Sequence, residues 1–244
     1  MSKSVLLTTD QIETGVNLPG WVPSEYNAFR SQVVAEGFPC HFGTIAQNRG
    51  HLRYTYSNVG DWSTLPDSLA EFMELSRTNP QVRHALIGFF EPETGEKSFD
   101  YYQGRFWDVC NFLHENDTKP WPADVPSSTD DPLWEFCFDG EPLFLFSGFP
   151  AYKQRNSRRF GDGMMILYQP KRVFNGIEGA TLGGIRAREF IRPRLQAWDG
   201  GMEMHPDFNI LDEALAFRWK QYCASDNNTP AVGKCPFLSK ASSS

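Results

Sequence analysis

The stretch WEFCFDGEPLFLFSGF, residues 134–149, is the most strand-like part of the chain. Its two apolar runs are joined by Asp139 and Gly140, a dipeptide typical of tight hairpin turns. Aromatic residues alternate along the first run with Glu135, which puts that carboxylate on the other face of a strand. The sequence therefore predicts a central hairpin. Glu135 points either into a pocket, where it would hold a cationic substrate, or towards solvent.

Further strands are predicted around this hairpin. The segments HFGTIAQ (41–47) and HLRYTY (51–56) flank a turn built on Asn48 and Gly50, which predicts a second hairpin with Cys40 at its entrance. Apolar runs predict two more buried strands, at 85–90 and 164–170.

Helical periodicity and capping residues predict five helices. They run from an N-cap at Ser24 to Gly37, from about 61 through Met73, and at about 98–114, 182–198 and 211–223. Together with the strands they predict an α+β single domain, with a mixed, mostly antiparallel sheet and helices packed around it. Residues 1–23 would form an N-terminal arm, 24–237 the domain and 238–244 a disordered tail. The proline-rich segment 119–132 is interpreted as a surface crossover rather than a domain linker.

Composition narrows the function. The chain has 244 residues and a net charge of -7, so a nucleic-acid or anionic-membrane partner is not expected. It has no apolar run of roughly 20 residues and no secretory signal at its start, which predicts a cytoplasmic protein. The 5 cysteines have no CxxC spacing, so we expect free thiols rather than disulfides or a zinc finger. A small-molecule partner fits best.

Two tripeptides mirror each other near the ends of the chain: FPC at 38–40 and CPF at 235–237. Proline fixes the neighbouring backbone and removes a donor, so each motif could hold a thiolate rigidly, as a heme-iron ligand requires. If the motifs meet in space, they close the fold. Alternatively, Cys40 is a small buried apolar residue and Cys235 belongs to a loose tail.

A basic cluster stands out in this acidic chain. Lys153, Arg155, Arg158 and Arg159 lie within seven residues. Arginines grip carboxylates and phosphates bidentately, so the cluster could receive the propionates of a cofactor. The other interpretation is a solvated run of charges.

Taken together, the short motifs of this chain resemble those of the YqcI/YcgG family, over about residues 24–237. The ordered agreement of many motifs is far more specific than any one of them. The motifs are FPCHFG, FW at 106–107, the D-x-x-PWP run at 117–122, WEFCFDGEPLF, PAYKQRNSRR, QPKRVF, RPRL, WKQY and the terminal CPF.

This resemblance implies a heme-dependent oxygenase that hydroxylates a nitrogen of a free amino acid, as in the conversion of arginine to N-hydroxyarginine. It implies heme b as cofactor and O₂ and an external reductant as co-reactants. Carried over by motif, Cys40 and Cys235 are the thiolate candidates. Arg155, Arg158 and Arg159 are the candidate grips for propionates or substrate.

Cys40 is preferred over Cys235 as the iron ligand because it lies inside the predicted sheet. Phe38 would pack against the cofactor. His41 is the best histidine candidate for the iron, although neighbours on a strand point to opposite faces. The sequence has no GxGxxG unit and no cysteine spacing typical of an iron–sulfur cluster, so the electron donor would be a separate partner. The oligomeric state is not decided by the sequence, and a homodimer is one alternative.

A cationic substrate would need a carboxylate, for which Glu135 and Glu141 are the candidates. Tyr152 is a further catalytic candidate, because many relatives place a histidine in the segment that here reads GFPAY, residues 148–152. Two other functions stay open: a non-catalytic heme or redox sensor, and a small-molecule binding protein without heme.

Overall fold

The computed structural model describes residues 4–179, 181–208 and 217–237. Helices surround a sheet, and the predicted α+β fold is confirmed. In chain order the elements are α1 (Thr9–Thr14), α2 (Trp21–Val33), α3 (His41–Asn48), β1 (Leu52–Ser57), α4 (Leu65–Thr78), β2 (Ala85–Phe90), α5 (Phe99–Glu115), β3 (Cys137–Phe138), β4 (Glu141–Gly148), β5 (Met165–Pro170), α6 (Leu182–Trp198) and α7 (Trp219–Tyr222).

The sheet is mixed and mostly antiparallel, as predicted. Its order is β1-β2-β5-β4-β3. β1 and β2 are parallel, and α4 supplies the crossover that a parallel pair requires. β5 is antiparallel to both β2 and β4.

The hairpin of β3 and β4 forms, but it lies at one edge of the sheet rather than at its centre. Asp139 and Gly140 both have positive φ, 52° and 76°, as a tight hairpin turn requires. β3 has only two residues. The carbonyl of its upstream neighbour Phe136 still accepts from the Leu143 N–H of β4 at 2.8 Å, but the Phe136 N–H donates to the Tyr222 hydroxyl at 3.2 Å.

Alternate residues of each strand enter two different apolar clusters, one on each face of the sheet. Ala85 and Ile87 of β2 pack with α2 and the N-terminal arm. Leu86 and Phe90 pack with α4 and α5 on the other face. The side facing α2 is named face A below, and the side facing α4 and α5 is named face B.

The predicted hairpin at 41–56 is wrong in its first half, because residues 41–48 form α3. Gly50, with φ 65°, ends this helix instead of closing a turn, and the His51 N–H donates to the Ala46 carbonyl at 2.9 Å. A glycine with positive φ serves both purposes, so the local pattern is ambiguous. Tertiary bonds decide: Gln47 is buried and binds the hydroxyls of Tyr26 and Tyr54.

The predicted N-cap at Ser24 is also wrong, since α2 begins at Trp21 with Gly20 before it. Pro23 fits because the first turn of a helix needs no internal N–H donor. The arm contributes α1 and an antiparallel bridge between Leu7 and Tyr54.

The predicted helices that begin near 98 and 182 are confirmed as α5 and α6, and the strands at 85–90 and 164–170 as β2 and β5. The helix predicted from about 61 forms as α4, but it begins at Leu65, because Asp61 makes a β-bridge with Asn58. Of the helix predicted at 211–223, residues 219–222 form α7, whereas residues 211–216 lie outside the described ranges, as does the tail 238–244. Within those ranges, no helix has the length and apolar character needed to cross a membrane.

Candidate functional site

A cavity of about 480 Å³ lies on face A of the sheet, against α2, α3 and α6. Its floor is formed by apolar strand residues, among them Ile87, Phe146, Met165 and Leu167. Its size falls within the roughly 300–1,000 Å³ of ordinary small-molecule sites. A flat apolar ligand would contact these strand residues and the helices beside them.

Cys40 lies on the wall of this cavity, at the N-cap position of α3. Burial raises the pKa of its thiol, while the backbone N–H groups of Gly43 and Phe42, which face the sulfur, act in the opposite direction. These N–H groups belong to the first turn of α3, which has no internal partner for them. They are therefore available to stabilise a thiolate.

Phe38 also lines the cavity and meets Phe160 and Trp198 edge-on, with ring centroids 6.5 and 5.6 Å apart. Contrary to the prediction, Cys40 does not lie at the entrance of a strand. The FPC motif instead leads directly into a helix, and Phe38 anchors that junction on face A.

Cys235 lies in the other apolar cluster, on face B, with Phe237 against Trp134 and Phe136. Burial raises the pKa of its thiol to about 12. The FPC and CPF motifs therefore pack into different clusters and do not make the contact that their mirrored sequences suggested. Cys40 is the cysteine that the structure places on the described cavity wall.

Arg155 reaches the cavity wall, but its polar atoms are already engaged. Its Nε donates to the Ser225 carbonyl at 2.9 Å, and its guanidinium also binds the Asn228 side chain. Asp199 lies 3.8 Å away. With an exposure of 2%, Arg155 has the contacts of a structural residue.

Arg158 is held in the same way. Its guanidinium donates to the backbone carbonyls of Ser147 at 3.1 Å, Tyr222 at 3.0 Å and Gln221 at 2.8 Å. It also stacks over the Phe146 ring at 4.2 Å. Arg159 is exposed and does not line the cavity. Within the basic cluster, Arg155 and Arg158 thus join the sheet to the C-terminal segment.

Neither acidic candidate lines the cavity. Glu135 is buried and pairs with Lys171, 2.7 Å from its Nζ, at the hairpin edge. Glu141 binds both Arg77 and Arg172. These two carboxylates brace the hairpin.

His41 and Tyr152 also lie away from the cavity. The His41 ring packs on Phe190 at 4.6 Å, and burial, with repulsion from Arg194, lowers its pKa. Tyr152 is buried on face B, where its hydroxyl donates to the Ala224 carbonyl at 2.7 Å. The departure in the GFPAY segment therefore faces the core opposite the cavity.

Three further arginines line the cavity: Arg83, Arg188 and Arg192. The sequence placed the last two in a helix but gave them no role. Their spacing of four residues, within a helix whose small and apolar residues share one face, was the available signal. In the described ranges, no aspartate or glutamate lines this cavity.

A sequence profile of the YqcI/YcgG family matches residues 29–238. The chain belongs to this family. It is 34% identical to the Uncharacterized protein YcgG of Bacillus subtilis (strain 168), over 83% of this chain and 81% of that one. It is 32% identical to the Uncharacterized protein YqcI of the same organism, over 91% and 89%.

A further YqcI/YcgG relative carries a functional name. It is the "Putative N(omega)-hydroxy-L-arginine synthase DcsA" of Streptomyces lavendulae, 28% identical over 95% of this chain and 89% of that one. No solved structure matches the chain. In the described part of the protein, no group of three or more His, Cys, Asp or Glu side chains could hold a metal ion.

Proposed function

We propose that this protein binds heme b in the cavity on face A, with the Cys40 thiolate as iron ligand, and hydroxylates a nitrogen of a free amino acid or related small amine. The placement of Cys40 at the N-terminus of α3, on the wall of a large apolar cavity, carries the proposal. The name of the relative DcsA supports the reaction type.

The residues present fit this cofactor. A porphyrin supplies four ligands itself, so one protein thiolate suffices, whereas a bare metal ion would need a ligand cluster. The cavity offers one thiol, apolar walls for the macrocycle and basic groups for its acids. Gly43 leaves the space beside the sulfur open.

When held by the Cys40 thiolate, a heme would supply the activation of O₂, since a thiolate ligand favours cleavage of the O–O bond. The balanced reaction is R–NH₂ + O₂ + 2 e⁻ + 2 H⁺ → R–NHOH + H₂O. One oxygen atom forms the new N–O bond and the other leaves as water. We infer that the two electrons come from an external reductant, because the sequence has no GxGxxG unit and no iron–sulfur cysteine spacing.

The chain itself contributes three things. The N–H groups of Gly43 and Phe42 face the Cys40 sulfur and would stabilise its thiolate against the effect of burial, which raises the pKa of the thiol. The aromatic and aliphatic walls exclude water, which strengthens each polar contact inside. Arg155 and Arg158 fix the C-terminal segment against the sheet and so keep that side of the cavity in place.

The experiment is a hemin titration of the purified protein, followed by turnover with O₂, a reductant and a panel of amino acids and amines. We expect about one heme per chain and a product that gains one oxygen atom. Failure to take up hemin would refute the proposal. Heme uptake with no product from any amine would instead identify a heme sensor.

A further inference from the structure

Helix α6 covers one side of the cavity with a single face. The residues that line it recur every three or four positions, as one helical face requires: Gly184, Ala187, Arg188, Ile191, Arg192 and Leu195. Small and apolar side chains surround the two arginines, which are half-buried. Arg188 and Arg192 are one turn apart and enter the same cavity.

These two guanidinium groups have no ion-pair or hydrogen-bond partner in the part of the chain that the structure describes. The other arginines of the cavity wall do: Arg155 and Arg158 bind carbonyl groups, and Arg83 donates to the Asn175 carbonyl at 3.2 Å. A half-buried charge without a counter-charge is unfavourable. Its presence at two successive turns calls for a ligand.

The helix gains nothing from this arrangement on its own. It carries four arginines, at 186, 188, 192 and 194, against the single acid Glu189, in a chain of net charge -7. Like charges at positions i and i+4 destabilise a helix by about 0.2–0.5 kcal/mol. Glu189 is exposed and does not line the cavity, so it does not neutralise the pair there.

We propose that Arg188 and Arg192 form a carboxylate-binding site for the ligand of this cavity. Guanidinium groups match carboxylates with two parallel N–H···O bonds. Resting on the proposed function, the carboxylates have two sources: the propionates of the macrocycle or the α-carboxylate of the amino-acid substrate. The site favours ligands that carry an acid group.

Three variants test the site: Arg188→Ala, Arg192→Ala and the matched control Arg186→Ala. Alanine and arginine are both good helix formers, so α6 is preserved. Arg186 is exposed on the same helix. Arg188→Gln and Arg192→Gln serve as second variants that keep a long polar side chain, and circular dichroism checks the fold of each.

The macrocycle arm uses protoporphyrin IX and its dimethyl ester, followed by quenching of tryptophan fluorescence, so no iron–sulfur bond is involved. The substrate arm uses L-arginine and its decarboxylated analogue agmatine on hemin-saturated protein, followed by difference spectra. If the propionates are the source, each variant of Arg188 or Arg192 binds protoporphyrin IX at least tenfold more weakly and binds the dimethyl ester with unchanged affinity. If the substrate is the source, the affinity for L-arginine falls at least tenfold in each cavity variant, and the affinity for agmatine is unchanged.

Three results obtained with the variants overturn the proposal: neither protoporphyrin nor L-arginine binds more weakly, Arg186→Ala has the same effect as the cavity variants, or the ester and agmatine lose as much affinity as the acids. Wild-type protein that binds none of the four probes also overturns it. By contrast, protoporphyrin binding that depends on Arg188 and Arg192, without thiolate ligation of hemin, would refute the proposed function and leave the carboxylate site standing.

Discussion

The Cys40 sulfur lies 3.7 Å from the position that a Cβ atom on Gly43 would occupy. That is ordinary van der Waals distance, so an alanine fits at this position in the absence of a ligand. A glycine inside a helix costs about 1 kcal/mol relative to alanine. The fold therefore gains nothing from Gly43, and the open space beside the sulfur is the remaining reason for it.

Gly43→Ala should stabilise the protein by up to about 1 kcal/mol and weaken hemin binding tenfold or more, because the new methyl group occupies the space beside the sulfur. Urea unfolding and hemin titration measure the two effects. Gly104→Ala is the control: it lies in α5 with nothing within 4 Å of its Cβ position, so it should stabilise without changing hemin affinity. Unchanged hemin affinity in Gly43→Ala would mean that the space is not used.

Arg158→Met should lower the free energy of unfolding by at least about 3 kcal/mol, because the carbonyl groups of Ser147, Tyr222 and Gln221 each lose a hydrogen bond from a charged donor. Arg159→Ala should change the free energy of unfolding by less than about 0.5 kcal/mol, since its side chain is exposed. Urea unfolding measures the free energy of unfolding of both variants and of the wild type. An Arg158→Met protein of normal stability that fails to bind hemin would show that this arginine grips the ligand instead.

His84 should make the protein sensitive to acid. Burial, together with repulsion from Arg53, lowers its pKa from 6.5 to about 4. A folded-state pKa below the unfolded one gives stability that is present above pH 6.5 and is lost as pH falls towards 4. The difference in unfolding free energy is on the order of 3 kcal/mol.

Chemical unfolding at a series of pH values measures this loss, and His84→Gln is the comparison. The variant should lose distinctly less stability than the wild type between pH 6.5 and 4. Parallel curves for the two proteins would mean that His84 is not the group responsible.

Most of the fold follows from local patterns. The run at 85–90 is apolar throughout, and the run at 164–170 is apolar except for Gln169. Ser98 caps α5 as its residue type suggests, accepting from the Tyr101 N–H at 3.1 Å. α3 could not be predicted this way. Its ending at Gly50 looks the same as a hairpin turn, and the buried bonds of Gln47 that decide between them are tertiary.

Sequence motifs identified some of the residues that line the cavity and not others, because local patterns do not show tertiary contacts. Cys40 and Phe38 were found through a motif, and the structure places both on the cavity wall. Arg155 and Arg158 have the residue type of an acid-binding site, but their guanidinium groups donate to backbone carbonyl groups instead. No local sequence pattern shows these hydrogen bonds. Arg188 has the same residue type and no partner in the described ranges, and only the packing of α6 distinguishes the two situations.

The ferrous–CO spectrum of hemin-reconstituted protein tests the central claim most directly, in the wild type, Cys40→Ala and Cys235→Ala. Cys40 lies in the cavity and Cys235 in the opposite cluster. We therefore expect a thiolate-type band in the wild type and in Cys235→Ala, and its loss in Cys40→Ala. A thiolate-type band that persists in Cys40→Ala, or an imidazole-type band in the wild type, would contradict the assignment of Cys40 as the iron ligand.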